Sequence, residues 1–212
     1  MKEHPILFSA PMVRALLSGQ KAQTRRAVKP VGNDGGFVLI ENAGRLWPYR
    51  SDDWESSFHT VKRGDNEYLD ETPHECPYGH AGDRLWVREA WRSYESLDDI
   101  PPSAIAPGAG VQYEAGGSNL GIDRLEGMGK LRPSMFMPRW ASRITLEIVS
   151  IRVDRLNSIT VSEAIAEGYD GSLDDPIDPS IKWFSHLWES LNGAGSWAEN
   201  PWVWVVEFRR LP

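Results

Sequence analysis

The sequence has one cysteine, Cys76, and no run of eighteen apolar residues. A single cysteine cannot form an internal disulfide, and a chain without disulfides is typical of a reducing compartment, so we expect a cytoplasmic protein. The first five residues, Met1 to Pro5, are not followed by a long apolar stretch. That pattern argues against a secretory signal or a membrane span, and we expect no membrane partner.

Positive charge is also scarce, with 23 Lys and Arg against 30 Asp and Glu in 212 residues and a formal net charge of -7. Proteins that coat nucleic acid neutralise many phosphates with basic side chains, so this composition disfavours non-specific coating. Tryptophan and proline, in contrast, are abundant, and 41% hydrophobic residues suffice for a substantial core. The composition favours a globular protein with a small or locally bound substrate.

The periodic segments predict an α+β fold with the order helix, several strands, two helices and a final strand. Helices are expected near 9–19, 160–168 and 179–192, from apolar stripes and from Gly or Pro at their ends. Strand candidates share alternating or short apolar runs between turn residues. They are 23–28, 36–41, 45–50, 82–89, 111–114, 143–156 and 201–211. In the long strand the apolar positions change phase at Val149, which predicts a β-bulge.

Two stretches rich in Gly and Pro, at about 30–82 and 93–138, are interpreted as insertions into a single domain of residues 1–212. We expect both to lie around one opening and to shape a site there. His74, Cys76 and His80 lack the ligand spacing of a structural zinc site. The sequence therefore predicts no metal and no cofactor.

Reactive side chains are concentrated between Gly19 and Arg26, where Lys21, Thr24 and Arg25 follow a helix end. A neutral lysine can take the proton of a threonine hydroxyl as that hydroxyl attacks a carbonyl group. The same residues also suit binding, with Arg25, Arg26 and Lys29 on phosphate and with aromatic side chains on a base. In a regular strand Thr24 and Arg26 share one face and Arg25 lies on the other.

Two glutamates occupy positions that usually disfavour a carboxylate. Glu167 falls in the last turn of a helix, where it opposes the helix dipole unless a partner holds it. Glu89 falls on the apolar face of its strand, so it is either paired with a cation or at the lip of a pocket. Spacing alone does not join Glu167 to Lys21 and Thr24 across more than 140 residues.

An early helix followed by Gly19, Lys21, Thr24 and Arg26 resembles the entry motif of the ASCH family, relatives of the RNA-binding PUA fold. Most of the chain is similar to a longer ASCH-type group associated with phages and prophages. The stretches that carry this similarity are 76–79, 86–91, 137–143 and 200–204, while the strand at 82–87 and the helix at 160–168 correspond to elements of the ASCH family itself.

The resemblance implies a PUA-like fold, a small and mostly antiparallel β-barrel with flanking helices and two long insertions. It also implies a metal-independent amidohydrolase that removes the acyl group from N4 of an acylated cytidine-type nucleoside or nucleotide. Short members of the family are described with a Lys, Thr, Glu catalytic set, which matches Lys21 and Thr24 and, by ungapped alignment of 156–168, Glu167. Arg25, Arg26, Glu89 and Trp91 are predicted to bind the substrate.

The chain departs from the short enzymes in two respects. Ala22 stands where they commonly have threonine, and they lack the two insertions, so the pocket here can differ in width or carry an aromatic cap. Other members of the family bind RNA or cleave it. An RNA-binding or modified-nucleotide-binding module and a ribonuclease therefore stay as alternatives.

Overall fold

The computed structural model describes residues 1–28, 76–171 and 179–212, and the backbone of the strands Gly35–Ile40 and Arg45–Arg50. Its helices are α1 (Ala10–Leu17), α2 (Val161–Ala166) and α3 (Ser180–Asn192). The strands are β1 (Glu3–Leu7), β2 (Gln23–Ala27), β3 (Gly35–Ile40), β4 (Arg45–Arg50), β5 (Arg84–Arg88), β6 (Trp91–Arg92), β7 (Gln112–Tyr113), β8 (Thr145–Arg155) and β9 (Trp202–Arg210). Short 3₁₀ helices cover Glu95–Leu97, Pro102–Ala104, Ser134–Phe136, Arg139–Ala141 and Leu156–Ser158. The three predicted helices are confirmed.

The main sheet has five strands in the order β1-β5-β8-β9-β2. β1 pairs with β5 in parallel, and the other three neighbours are antiparallel, so the sheet is mixed. The α+β prediction is confirmed. In the described part of the chain β1 and β2 are the two edges of this sheet, and no closed barrel is seen.

β8 carries the irregularity that its apolar phase predicts. Its pairing with β9 shifts register between Ile148 and Ser150, and Val149 is exposed at this point. The extra residue of a bulge reverses which face the following side chains occupy. Ile148 and Val153 are therefore both buried although their spacing is odd.

The first strand, β1, was not predicted from the sequence. Its five residues include Pro5, and only Ile6 of the five is buried, so neither alternation nor composition indicates a strand. The pairing that creates it is with β5, about 80 residues away in the chain.

Three apolar clusters hold these elements together. One packs α1 against the sheet around Val13, Leu146 and Val206. A second lies between the 156–164 region, α3 and β9, and a third, around Trp91 and Met137, belongs to the second insertion and its flanks. Most of the first insertion, including His74, lies outside the described residues, as does Lys29, which precedes it. Within the described ranges, the helices are too short or too polar to cross a membrane.

Candidate active site

The turn after α1 places Lys21 beside the end of α2. Gly19 adopts a positive φ of 78°, which ends the helix, and the backbone N–H groups of Gln20 and Lys21 both donate to Ala15 O at 2.9 and 3.0 Å. The Ala22 N–H donates to the Ala166 carbonyl at 2.9 Å. This bond fixes the segment before β2 to the residue that precedes Glu167.

Lys21 and Glu167 form a buried ion pair at this junction. The Lys21 Nζ donates to Glu167 Oε2 at 2.8 Å and to the backbone carbonyl of Glu167 at 2.7 Å. The two side chains are 0% and 2% exposed. A neutral amine has two N–H groups and one lone pair. When both N–H groups donate to these two acceptors, the lone pair points away from them and can accept a proton from another group.

The pKa of Lys21 lies below its usual value. Burial is the largest cause of this lowering, because it penalises the charged ammonium. The Glu167 carboxylate raises the pKa of Lys21, whereas the charges of Arg26 and Arg25 lower it further. A depressed pKa brings the neutral amine closer to physiological pH. Lys21 thus has the environment of a lysine that works as a base.

Glu167 is partnered despite its place at the C-terminal end of α2. Besides Lys21, Arg25 approaches it, with Nη1 at 3.7 Å from Oε1. Two cations within this range offset the unfavourable interaction of a carboxylate with the negative end of the helix. The carboxylate is therefore held in one place by groups from the turn after α1 and from β2.

Arg25 is enclosed, with 0% of its side chain exposed. Its Nη2 lies 3.0 Å from Glu163 Oε2, and its Cζ lies 5.9 Å from the centre of the Phe184 ring. None of its three guanidinium nitrogens makes a hydrogen bond of good geometry to a described residue. Arg25 is paired in charge but lacks hydrogen-bond acceptors.

Glu163 links this site to the start of α2. Its carboxylate accepts from the Thr160 N–H at 2.8 Å, and its own N–H donates to the Thr160 hydroxyl, so the two residues form a capping box. Arg152 also pairs with this carboxylate. Burial alone would raise the pKa of Glu163, but the Thr160 hydrogen bonds and the Arg25 and Arg152 charges outweigh it and lower the pKa.

A cavity of about 190 Å³ opens at the free edge of β2, between α1, α3 and the end of α2. It is lined by Met12, Thr24, Arg25, Arg26, Ala27, Glu167, Phe184, Leu187, Trp188, Leu191 and Asn192. Thr24 and Arg25 belong to opposite faces of β2, but a cavity at a sheet edge can contact side chains from both faces. Lys21 is not among the lining residues.

Arg26 is half-buried where β2 passes β1. Its Nη2 donates to the Leu7 carbonyl at 2.6 Å, and its Cζ lies 5.2 Å from the centre of the Phe8 ring. The Lys21 Nζ lies 5.6 Å from the same ring. Phe8, a buried member of the first apolar cluster, therefore lies near both cations.

Glu89 and Trp91 lie elsewhere and do not line this cavity. Glu89 is 1% exposed, and its carboxylate accepts hydrogen bonds from Arg143 Nε and Nη2 at 2.8 and 2.9 Å. Burial raises the pKa of Glu89 in spite of these two bonds. Of the two alternatives predicted for Glu89, a pair with a cation or a place at the lip of a pocket, the structure shows the pair with a cation. Trp91 is fully buried, with Arg132 Cζ 5.3 Å from its ring centre, and presents no face to a ligand.

Sequence reasoning missed two contributors to the site. Glu163 was visible only as a capping residue, and nothing in the sequence shows that its carboxylate also meets Arg25. The apolar stripe that predicts α3 is typical of a buried helix face, and Phe184 and Trp188 are indeed buried, yet they also line the cavity with Leu191. Leu191 is 54% exposed, which no periodic pattern reveals.

No protein-family model, curated protein or solved structure matches this chain. Among the described residues there is also no cluster of three His, Cys, Asp or Glu side chains placed to hold a metal ion. The site is therefore interpreted from its own residues and their geometry.

Proposed function

We propose that the protein is an amidohydrolase that removes the acyl group from N4 of an acylated cytidine-type nucleoside or nucleotide. One observation carries the proposal: the buried contact of 2.8 Å between Lys21 Nζ and Glu167 Oε2, beside a cavity that Thr24 lines. In this proposal Lys21 is the base, Glu167 the positioning group and Thr24 the nucleophile; in support, Glu167 contacts Lys21 and lines the same cavity as Thr24.

In the first step Thr24 is the nucleophile. Neutral Lys21 takes the proton of the Thr24 hydroxyl while its oxygen bonds to the acyl carbon, and a tetrahedral oxyanion forms. The bond between the acyl carbon and N4 then breaks, Lys21 returns the proton to the departing nitrogen, and an ester on Thr24 remains.

In the second step water replaces the nucleoside. Lys21 removes a proton from a water molecule that attacks the ester carbonyl, the Thr24 oxygen leaves with that proton, and a carboxylic acid is released. Glu167 is a positioning residue in both steps, because it accepts the two lysine hydrogens and directs the lone pair away from itself. These steps use only groups of the chain and water.

The cavity suits the reacting end of such a substrate. At about 190 Å³ it is smaller than the roughly 300–1,000 Å³ of pockets that bury a drug-sized ligand, so it encloses a base with a short acyl group and leaves the sugar outside. Phe184, Leu187 and Trp188 offer apolar contacts for the flat base and the acyl chain, while Arg26 offers a cation at the rim.

We also propose that the chain is a diverged ASCH-type protein whose fold is related to the PUA fold. In its support, α1 leads through the Gly19 turn into β2, and the predicted strand and helix of the motif are present as β5 and α2. The predominance of antiparallel neighbours in the main sheet also agrees with this relationship.

The experiment is incubation of the purified protein with N4-acetylcytidine, with release of cytidine followed by chromatography. We expect release by the wild-type protein and its loss in Lys21→Ala and Thr24→Ala. Gln20→Ala is the matched control, because the Gln20 side chain donates to the backbone carbonyl of Tyr169 and does not line the cavity. Unchanged turnover in Lys21→Ala would refute the mechanism, and activity that persists in a chelator would support its independence of metal.

A binding module for RNA or a modified nucleotide is the second candidate. The observation in its favour is that Lys21 and Arg25 both pair with Glu167. A network of buried ion pairs can have a structural role alone, so these contacts do not require the protein to catalyse a reaction. This function predicts that folded wild-type protein binds the nucleoside without releasing acetate. A ribonuclease would instead produce RNA fragments with defined ends.

A further inference from the structure

The free edge of β2 presents backbone groups that the main sheet does not use. The Ala22 carbonyl accepts from β9 and the Val28 N–H donates to β9, each at 2.9 Å, so the even-numbered residues of this segment bond to that strand. The N–H and C=O groups of Arg25 and Ala27 therefore point to the opposite side. In the described part of the chain, β2 has no strand neighbour there, and no described group bonds to them.

These backbone groups face the cavity. Arg25 as a whole is 4% exposed, whereas its side chain is 0% exposed, so the accessible surface of Arg25 belongs to its main chain. Arg25 and Ala27 both line the cavity, and Ala27 is exposed. What Arg25 offers a ligand in the cavity is therefore its backbone. Backbone polar groups with so little access to water cost free energy unless they find a partner.

The short length of this edge favours a small ligand over a peptide strand. Gln23, the preceding residue on the same side of β2, is buried and does not line the cavity. Added strands usually need several residues of free edge, whereas the cavity of about 190 Å³ meets only Arg25 and Ala27 on this side. Phe184 and Trp188 line the same cavity with apolar rings. The edge therefore suits one planar heterocycle.

The order of the backbone groups narrows the class of heterocycle. Along the edge, the Arg25 carbonyl is an acceptor and the Ala27 N–H that follows on the same side is a donor. A ring can bind both when it carries an N–H group next to an acceptor atom in one plane. The common nucleobases have such a pair on the Watson–Crick edge, which proteins contact when the base is unpaired. In cytosine the pair is N4–H and N3, and one hydrogen stays on N4 after acylation.

We propose that the free edge of β2 binds the base of the substrate, with the Arg25 carbonyl accepting from N4–H and the Ala27 N–H donating to N3. The choice of cytosine rests on the proposed function, whereas the need for a neighbouring donor and acceptor rests on the backbone alone. Thr24 precedes Arg25 and lines the same cavity, so N4 lies toward Thr24 and N3 away from it. The acyl group on N4 is then on the side of the nucleophile.

The test removes the backbone donor and measures binding, which does not require turnover. Ala27→Pro deletes an N–H that the pairing with β9 does not use, so the sheet can keep its ladder. Glu3→Pro is the matched control, because Glu3 lies on the free side of β1, the other edge of the same sheet, where Pro5 already stands. Calorimetry gives the dissociation constants of cytidine and of 3-deazacytidine, in which a C–H group replaces N3.

We expect the wild type and Glu3→Pro to bind cytidine at least about tenfold more tightly than 3-deazacytidine, and Ala27→Pro to lose this preference. In amide NMR spectra of the wild type, cytidine should move the Ala27 amide proton downfield, and 3-deazacytidine should not. Equal binding of the two nucleosides by the wild type, or an Ala27 amide that does not move at saturation, would overturn the proposal even if Ala27→Pro did not fold. A preference that survives in folded Ala27→Pro would also overturn it.

The outcome is separable from that of the hydrolase assay. A preference for cytidine that depends on the Ala27 N–H, without release from N4-acetylcytidine, would uphold base binding at β2 and refute the hydrolase. Release from N4-acetylcytidine by a protein whose cytidine preference does not depend on Ala27 would uphold the hydrolase and refute base binding at this edge.

Discussion

The buried pair of Lys21 and Glu167 is the residue-scale feature on which the account depends. Taking two charges out of water costs several kcal/mol for each ion, so a buried ion pair is weak evidence for stability. Here the pair lies next to a cavity, and Arg25 adds a second cation whose nitrogens make no well-aligned hydrogen bond to any described residue. Such an arrangement is typical of a site in which pKa values are adjusted for chemistry.

The pH dependence of the reaction follows from the neutral state that Lys21 needs. Below the pKa of Lys21 the amine is protonated and cannot act as a base, so kcat/KM should rise with pH through that pKa, which burial has lowered. The Glu167 carboxylate raises the pKa of Lys21. We therefore expect Glu167→Gln to shift the rising limb of the kcat/KM profile to lower pH, besides any loss of rate.

Glu207→Gln provides the comparison for this profile, because Glu207 pairs with Arg152 and not with Lys21. Its profile should keep the rising limb of the wild type. A limb that stays in place in Glu167→Gln, or moves to higher pH, would show that the titrating group is not Lys21.

At this scale the sequence revealed the types of residue but not their contacts. Lys21 and Thr24 stand out because they are close in the chain, and an ungapped motif match indicates Glu167. The contact of Lys21 with Glu167 depends on where α2 ends in space, and Arg25 meets Glu163 because β2 passes the same helix. No periodicity encodes either distance.

At the scale of elements, the end of α2 determines where Glu167 lies. Gly168 follows it with a φ of 110°, and a Cβ added there would lie 3.2 Å from the Ala15 Cβ and 3.7 Å from the Lys21 Cβ. A glycine thus permits both the left-handed turn and the close approach of α2 to α1. The distance between Lys21 and Glu167 depends on that approach.

Gly168→Ala should therefore lower both stability and turnover. The left-handed conformation alone costs a non-glycine residue about 1 kcal/mol, and crowding against Ala15 adds to this. Gly193→Ala is the matched control, because Gly193 ends α3 with a φ of 101° and has nothing within 4 Å of an added Cβ. Urea unfolding measures the loss of stability, and cytidine release measures the loss of rate.

The two glycine variants give a clear comparison. Gly168→Ala should lose more unfolding free energy than Gly193→Ala, and it alone should lose activity. Equal losses in both variants, with full activity retained, would mean that the packing of α2 on the Lys21 segment does not set the geometry of the site.

Elements with strong local signals were predicted well, whereas an element formed by long-range pairing was not. The Thr160–Glu163 capping box marks α2, and the apolar stripe of α3 marks a helix that ends at Gly193. β1 has no such signal, since its strand character comes from parallel pairing with β5. Local propensity does not contain that pairing.

At the scale of the whole molecule, the order of strands creates the site. β2 is an edge of the main sheet, so one side of its backbone faces the cavity and not another described strand. α3, which lies far from β2 in the chain, supplies the apolar wall. The sequence predicted these elements, but not that β2 would be an edge, because edge position is a property of the assembled sheet.

The acidic character of the molecule leads to a prediction on nucleic acid. With a net charge of -7, and with Arg25 enclosed and paired with Glu163 and Glu167, Arg26 is the arginine of the cavity that can neutralise a phosphate. Binding of single-stranded RNA, measured by fluorescence anisotropy at several salt concentrations, should therefore be weak. Its slope of log K against log salt should be no steeper than about -0.7, the value for one phosphate. A steeper slope would indicate a larger nucleic-acid surface and favour the binding module.

The measurement that most directly tests the central claim is cytidine release from N4-acetylcytidine by Thr24→Val next to the wild type. Valine keeps the shape of threonine and removes the hydroxyl, so the cavity and the Lys21–Glu167 pair should persist. We predict release by the wild type and a loss of at least about a thousandfold in Thr24→Val, with cytidine binding retained. Release at the wild-type rate by folded Thr24→Val would contradict the assignment of Thr24 as the nucleophile.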